Sequence, residues 1–282
     1  MIYLFLWIVL AANLILLLSC FFIVLLSYCI YWYEYSNNHP EAYDQRFSWR
    51  NLKLAAILIV PEALLDYLTI IAIPFGIRRY KATNLKRGTP PTLLLNGLFV
   101  NQSCWFWFKR QLQQRGVENV VTMNLSAWHS EEALTELVAK QVDELRHQLG
   151  VHTVNLVGHS FGGIIARNYV QLRGGESKVE RLICLGSPQH GSKLAPFSFA
   201  PTGKVLIPGS DFLRRLNSAP QPAGVTLTNI HTAKDNMVLP NSHTLLPWGH
   251  SVELDNMGHT SLLYRQSAID ATVAALKYRE LQ

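Results

Sequence analysis

Residues 158–162 read Gly158-His159-Ser160-Phe161-Gly162, and this stretch decides the fold. The pattern is G-x-S-x-G, which is typical of a nucleophile elbow (below, the elbow), a tight turn that joins a strand to a helix and exposes the serine hydroxyl. Residues 151–157 before it are rich in Val and Leu and predict a buried strand. Residues 164–173 after it predict a helix that stops at a pair of glycines. The serine is therefore expected between a strand and a helix, as the pattern requires.

The two glycines of this turn have a steric reason. We expect Gly158 and Gly162 to let the strand and the helix approach closely, and Ser160 to adopt a strained backbone conformation. The alternative is a glycine-rich turn with an incidental serine, which the flanking strand and helix disfavour.

Residues 88–282 form the predicted folded domain, which follows the chain break at Gly88-Thr89-Pro90-Pro91. Ser130 is expected to cap a helix, whose apolar face carries Leu134, Leu137, Val138, Val142, Leu145 and Leu149. Strands are predicted at 92–95, 120–125, 151–157, 179–185, 225–231 and 251–254, and helices at 104–116, 131–149, 164–173 and 262–276. This alternation predicts an α/β fold with a mainly parallel central sheet and helices on both faces. Reactive groups should then collect at the carboxyl ends of the strands.

A serine hydroxyl is a poor nucleophile unless a base takes its proton and a third group orients that base. In folds built on this turn, the order along the chain is serine, then a carboxylate, then histidine. Asp235 follows the strand at 225–231, and His259 follows the strand at 251–254, directly before the last helix. These two residues complete a predicted catalytic set with Ser160.

Other residues could fill the same roles. His243 and His250 also follow Asp235, but only His259 combines a preceding glycine with a following helix. Asp255 is better placed to serve the local turn, and Asp211 lies in a long connection where a fixed geometry is harder to hold. For both Asp235 and His259, the structural alternative is a solvated surface residue.

The tetrahedral intermediate of acyl transfer carries an oxyanion, which needs backbone N–H donors worth roughly 3–4 kcal/mol each. The residue after the nucleophile, Phe161, supplies one. The loop after the strand at 92–95 supplies the other, assigned to Leu98 with Phe99 as the alternative.

The first 33 residues carry no charged side chain and end in the aromatic cluster Tyr31-Trp32-Tyr33. A membrane-spanning helix needs about 20 apolar residues, so 1–33 predicts a transmembrane helix with an aromatic belt. A cleaved signal peptide is disfavoured, because no Lys or Arg precedes the apolar run and the run is long.

Residues 34–87 form a juxtamembrane region with a second apolar segment at 52–77. Pro61, Glu62 and Asp66 interrupt that segment, and a central Asp costs roughly 2.5 kcal/mol or more in a lipid-facing helix. Two interpretations remain open: a second, proline-kinked span, or a segment that lies at the membrane surface.

The formal charge of +6 reflects basic residues near the apolar segments, namely Arg46, Arg50, Lys53, Arg78, Arg79, Lys81, Lys86 and Arg87. This placement favours lipid headgroups over nucleic acid, for which no binding motif is present. It places the C-terminal domain on the cytoplasmic side. The four cysteines match neither a disulfide framework nor a metal site, and no metal or cofactor is implied.

The chain from about Pro91 to Leu276 resembles the α/β-hydrolase fold, and within it the bacterial lipases and esterases. The resemblance rests on Asn96-Gly97-Leu98, the elbow at 158–163, residues 185–192 (Leu-Gly-Ser-Pro-Gln-His-Gly-Ser), the Asp235 loop and Gly258-His259. Asn96 departs from the family, which usually has His there. The resemblance implies the catalytic roles of Ser160, Asp235 and His259, and a bacterial inner-membrane location for an anchored member.

In such lipases the segment after the Gly-Ser-Pro strand often forms a mobile cap. Residues 193–224 are rich in apolar side chains, and we interpret them as a lid over an acyl-chain groove; the alternative is a satellite core. The expected function is a membrane-anchored serine hydrolase of lipid esters. An acyltransferase with the same residues and an esterase of small soluble esters are the alternatives, and a non-enzymatic membrane scaffold would require a broken catalytic set. Oligomeric state is left open.

Overall fold

A computed structural model describes residues 1–39, 47–77 and 85–277. Within these residues the helices and strands follow one another in this order: α1 (Ile2–Asn38), α2 (Trp49–Ala72), β1 (Thr92–Leu95), α3 (Phe106–Gln114), β2 (Val120–Met123), α4 (Glu131–Leu149), β3 (Val154–His159), α5 (Phe161–Leu172), β4 (Val179–Leu185), α6 (Pro201–Lys204), α7 (Asp211–Ser218), β5 (Thr226–Thr232), β6 (His250–Leu254) and α8 (Gln266–Lys277). Short 3₁₀ turns occur at Ile73–Gly76, Gln102–Trp105, Ala195–Phe197, Asn241–Thr244 and Thr260–Leu263.

The centre of the molecule is a six-stranded sheet in the order β2-β1-β3-β4-β5-β6. Every neighbouring pair is parallel. The sheet therefore confirms the predicted parallel α/β architecture. The elbow strand β3 lies in the middle, between β1 and β4, so its carboxyl end is flanked by the loops that leave both neighbours.

Helices cover both faces of this sheet. Leu93 and Leu95 of β1 pack with α4 and α5, whereas Leu94 faces the layer that contains α3 and α8. This alternation is what a strand buried on both sides requires. The helix α4 begins as predicted, because the Ser130 hydroxyl accepts a hydrogen bond from the N–H of Ala133.

Several predicted boundaries and faces differ from the structure. The helix predicted at 104–116 opens with a 3₁₀ turn, and the one predicted at 262–276 is divided into a 3₁₀ turn and α8. Leu137, predicted on the buried face of α4, is exposed, while Thr135 is buried and receives a hydrogen bond from Asn168. The period of apolar residues alone did not reveal that a buried polar contact would form at Thr135.

The N-terminal helices pack against each other and against the sheet domain. Both are long and apolar enough to cross a membrane, by length and composition. The helix α1 runs to Asn38, five residues beyond the predicted end, and α2 continues through Pro61 without interruption. They are antiparallel, since Tyr67 donates to Asn13 near one end and Tyr31 packs with Leu58 near the other. Four of the basic residues used for the topology prediction, Arg46, Arg78, Arg79 and Lys81, lie outside the described residues.

The long connection at 193–224 has two different parts. Leu206, Phe212 and Leu213 are buried in the main core. Phe197 and Phe199 are instead exposed, and the Phe199 ring lies 4.6 Å from that of Phe99. Only the first part of the segment thus presents apolar surface.

Candidate active site

Ser160 occupies the turn between β3 and α5 and has φ 53° and ψ −122°. A positive φ is unusual for a serine, so the expected backbone strain is present. The glycines explain how the turn is so tight. A Cβ on Gly162 would lie 2.2 Å from the carbonyl oxygen of Leu95, and one on Gly158 would lie 2.3 Å from the backbone nitrogen of Gly163. Neither position accepts a side chain without moving backbone.

Asp235 and His259 meet at the same edge of the sheet, beside the Ser160 turn. The Nδ1 atom of His259 lies 2.8 Å from Oδ2 of Asp235, and both side chains are buried. The other carboxylate oxygen, Oδ1, accepts hydrogen bonds of 2.8 Å from the N–H groups of Met237 and Val238. A fully hydrogen-bonded carboxylate beside Nδ1 places the proton on that nitrogen, so Nε2 is left as the acceptor.

Gly186 makes room for this pair. It follows β4 with φ +55°, and a Cβ there would lie 3.3 Å from both Asp235 Oδ2 and His259 Nδ1. The same Cβ would lie 2.7 Å from Leu262. The glycine of the Gly-Ser-Pro segment therefore clears the space in which the acid and the base meet.

His159, next to Ser160 in the chain, contacts His259 directly. Their ring centroids are 4.7 Å apart, and His159 Nε2 lies 3.2 Å from the backbone carbonyl oxygen of His259. Burial, together with the nearby His259, lowers the pKa of His159 to about 3. His159 is therefore uncharged near neutral pH, and its Nε2–H donates to the carbonyl oxygen of His259. The histidine of the elbow thus holds the loop of His259 beside the serine.

The charge balance around His259 favours its protonated form. Burial alone lowers the pKa of this imidazole, but the charge and hydrogen bond of Asp235, followed by the charges of Glu62 and Asp66, raise it above the usual value. A base with this environment binds a proton more strongly than an ordinary imidazole does.

The loop after β1 is held by Asn96, the residue that departs from the family. Its buried amide nitrogen lies within hydrogen-bond distance of the carbonyl oxygens of Gly97, Val100 and Leu125, at 2.7–3.0 Å. Its amide oxygen accepts from the N–H of Leu125 at 2.8 Å. Asn96 therefore joins the loop after β1 to the backbone of Leu125.

The two segments that carry the predicted oxyanion donors lie next to Ser160. A Cβ on Gly97 would lie 3.2 Å from Cβ of Ser160, so the loop that carries Leu98 rests against the serine. Phe161 is the first residue of α5, where backbone N–H groups have no acceptor within the helix. Phe99, the alternative donor, has φ 60°.

The N-terminal helices contact the loops of both Asp235 and His259. The hydroxyls of Tyr28 and Tyr31 donate to the carbonyls of Lys234 and Ala233. Asn236 accepts from the N–H of His259 at 3.1 Å and donates to the hydroxyl of Ser27 at 2.8 Å. The sheet domain and the two helices therefore share one hydrogen-bonded network at this edge.

Glu62 is the part of this network that sequence reasoning missed. Its side chain is fully buried and accepts hydrogen bonds from the residues that follow His259. In the sequence, Glu62 registers only as a cost to a membrane helix. A carboxylate inside an apolar helix is by default a candidate functional residue, and that signal was available.

The rejected candidates lie elsewhere. His243 packs against His190 and contacts the carbonyl oxygen of Gly191, and His250 is exposed at the start of β6. Asp255 is exposed, and Asp211 pairs with Arg214 at the start of α7. The structure brings Asp235 and His259 together and leaves these four apart from them.

Comparisons with known proteins agree with this fold. A family model described as palmitoyl protein thioesterase matches residues 91–219. A triacylglycerol lipase of Pseudomonas fragi is 36% identical over 110 residues, which are 37% of this chain and 36% of that protein. A triacylglycerol lipase of Burkholderia plantarii is 29% identical over 153 residues, which are 50% of this chain and 40% of that one. The match thus spans well under half the length of either relative.

Solved structures of lipases superpose on the fold of this chain. A Bacillus licheniformis lipase in its propeptide form superposes with a TM-score of 0.62 at 17% identity, covering 72% of this chain and 53% of that one. Aspergillus fumigatus lipase B superposes with a TM-score of 0.58 at 18% identity, covering 71% and 56%. The described sheet and its helices therefore have the architecture of these proteins.

Proposed function

We propose that this chain is a lipase or esterase of the α/β-hydrolase fold and that it cleaves carboxylic ester bonds of lipids through Ser160, His259 and Asp235. The observation that carries the proposal is the buried Asp235–His259 hydrogen bond beside a serine in a strained strand-to-helix turn. That pairing leaves Nε2 of His259 free of a proton, which a serine hydrolase requires of its base.

The reaction follows from these roles. Ser160 Oγ attacks the ester carbonyl while Nε2 of His259 takes the hydroxyl proton. The N–H groups of Leu98 and Phe161 hold the oxyanion that forms. His259 then gives its proton to the leaving alcohol, and an acyl group remains on Ser160. Water attacks this acyl group, again losing a proton to His259, and the fatty acid leaves while Ser160 regains its proton.

We propose that the N-terminal helices hold this site at a membrane. The first turns of α1 expose apolar side chains on every side. The helix α2 exposes an apolar stripe at Ile57, Val60, Leu64, Leu68 and Ile71. The other side of α2 contacts the sheet domain through Glu62, and the 3₁₀ turn that follows α2 contacts it through Gly76. These contacts favour the interpretation that α2 lies at the membrane surface over a second span. Anchoring raises the effective concentration of lipid at the active site.

The exposed aromatic rings beside the site fit a lipid substrate. Phe99, Trp128 and Phe199 form one exposed group, with Phe197 close by in the chain. We propose that the first part of the 193–224 segment is the mobile lid and that the buried second part is its fixed base.

A second candidate function is the cleavage of acyl thioesters, favoured by the palmitoyl protein thioesterase model that matches 91–219, elbow included. Ser160, His259 and Asp235 would play the same parts with a thiol as the leaving group. Substrate profiling separates the two.

The test is hydrolysis by the full chain of phospholipids, acylglycerols, short-chain esters and an acyl thioester, with Ser160→Ala as the matched variant. We expect release of fatty acid from at least one lipid ester and its loss in Ser160→Ala. Activity that persists in Ser160→Ala would refute the proposal. Preference for the thioester would favour the second candidate.

A further inference from the structure

We propose that Glu62, in the N-terminal helix α2, is a positioning residue for the base His259, so that this helix is part of the catalytic apparatus as well as an anchor. The inference rests on the function proposed above. It assigns to Glu62 two tasks: holding the backbone turn that carries His259, and supplying negative charge to its imidazole.

The first task is visible in the hydrogen bonds of the Glu62 carboxylate. Oε1 accepts from the N–H of Thr260 at 2.5 Å, and Oε2 accepts from the N–H of Ser261 at 3.1 Å and from its hydroxyl at 2.5 Å. Thr260 and Ser261 open the 3₁₀ turn that directly follows His259. Glu62 thus caps the start of this turn from another element, where free backbone N–H groups favour a negative charge.

The carboxylate form explains all three hydrogen bonds at once. Both oxygens accept, and the side chain has no exposed surface. A protonated carboxyl could donate only to the Ser261 hydroxyl oxygen, because the N–H groups of Thr260 and Ser261 are donors alone. Removing its hydrogen-bond donors would leave the carboxylate buried and unpaired, so the contact is strongly specified.

Gly258 shows that the loop is shaped around Glu62. A Cβ on Gly258 would lie 2.4 Å from Cδ of Glu62 and 2.6 Å from the hydroxyl oxygen of Tyr28. The glycine that precedes His259 therefore relieves crowding with α1 and α2. Together with the Ser27–Asn236–His259 chain of hydrogen bonds, this contact fixes the backbone of His259 on two sides.

The second task follows from the charges that face His259 from each element packed on it. Asp235 lies in the loop after β5, neutral His159 lies at the end of β3, and Glu62 and Asp66 lie on α2. The charge of Glu62 adds to that of Asp235 in raising the pKa of His259. Removal of its charge should make His259 a weaker base.

The experiment uses the full chain in detergent micelles and a short-chain soluble ester, so that anchoring does not enter the readout. Glu62→Gln is compared with Thr69→Val, which removes from the same helix a hydrogen bond of 2.7 Å to the Tyr264 hydroxyl and leaves the bonds of Thr260 and Ser261 to Glu62 in place. Glu62→Asp tests rescue by the charge. The rate of Ser160 labelling by a fluorophosphonate and kcat are both measured as a function of pH. The labelling rate gives a pH profile of Ser160 reactivity that does not depend on which ester is the natural substrate.

We expect Glu62→Gln to lower kcat at least about tenfold while KM changes less than about threefold, because the base is misplaced rather than the substrate. The acid limb of the labelling profile should move down by about half a pH unit or more. Glu62→Asp should keep the acid limb of the labelling profile near that of the unaltered protein. Thr69→Val should leave kcat within about twofold and the acid limb in place. If Glu62→Gln fails to fold, Ser261→Ala removes one donor, and kcat then has to fall at least about threefold.

Unchanged kcat in Glu62→Gln, or in Ser261→Ala where that variant stands in, would overturn the proposal. A lower kcat with an unmoved acid limb would also overturn it, because a merely structural role predicts that result. Loss of activity and labelling in Ser160→Ala together with unaffected Glu62 variants would keep the proposed function and remove only this inference. Labelling that persists in Ser160→Ala would remove the proposed function itself.

Discussion

The two sides of the candidate site are held in different ways. The serine side is local: Ser160 lies between β3 and α5, and its N–H donates to Leu185 in the adjacent strand. The acid and base side depends on contacts with α1 and α2, such as that between Asn236 and Ser27, 209 residues apart in the chain, and that between Thr260 and Glu62, 198 apart.

The sheet domain and the N-terminal helices are therefore not independent modules. The elbow is specified by steric constraints within a strand, a turn and a helix. The Asp235 and His259 loops are irregular and need partners for their backbone groups, which the two helices supply. A change in the backbone packing of the elbow should therefore act on folding, whereas a change in the contacts that hold Asp235 and His259 should act on catalysis.

The largest effect is expected from Gly162→Ala, which breaks the serine side. The added Cβ would lie 2.2 Å from the backbone oxygen of Leu95, so we expect destabilisation of at least about 3 kcal/mol or failure to fold. The matched control is Gly174→Ala beyond the other end of α5, where φ is +74° and no atom lies within 4 Å of the new Cβ. The control should cost only about 1–2 kcal/mol.

Thermal unfolding of the two variants in detergent measures this comparison. Equal shifts of the unfolding midpoint would show that the close approach at the elbow does not limit the fold.

Asp235→Asn should give the next effect, on the acid and base side. Without the carboxylate, His259 loses the partner that orients Nδ1–H, and kcat should fall about 10³–10⁴-fold with the fold retained. The pH dependence gives the sign. His259 acts as a base only when neutral, so activity rises with pH through a pKa that Asp235 holds above the ordinary value of about 6.5. In Asp235→Asn the residual activity should still rise with pH, but the midpoint of that rise should lie at a lower pH.

The control for this prediction is Asp255→Asn, an exposed carboxylate four residues before His259. Its kcat and pH profile should match those of the unaltered protein. A larger loss in Asp255→Asn than in Asp235→Asn would reverse the assignment of the acid.

The smallest effect is expected from Lys193→Ala, which removes an ion pair with α1 at the protein surface. Lys193 pairs with Glu34 of α1 at 2.5 Å, but its side chain is 55% exposed. Exposed ion pairs contribute about 0–1 kcal/mol, and salt weakens them. We expect a shift of the unfolding midpoint within about 2–4 °C that disappears at high salt, and an unchanged kcat. A large loss of activity would mean that surface contacts of α1 also position the site.

Much of the serine side was predictable from the sequence because its determinants are close together in the chain. The elbow, its strand and helix, and the Ser130 cap depend on residues within a few positions of one another. Asn96 was predicted to sit in the loop after β1, but its hydrogen bonds to Leu125 join two loops 29 residues apart. The exposure of Leu137 depends likewise on which neighbours the helix meets. Local periodicity carries no information on such pairings.

By itself, the sequence determined the parallel α/β order, the turn that exposes Ser160, and the identities of Asp235 and His259 as the acid and base candidates. Steric rules for glycine, the period of apolar residues and the order of chemical groups act over short spans, so the chain alone displays them. Only the tertiary structure decided that Glu62 and Ser27 of the apolar helices hold the loops of that acid and base. Buried hydrogen bonds form between whichever groups packing brings together, and packing joins residues about 200 positions apart here.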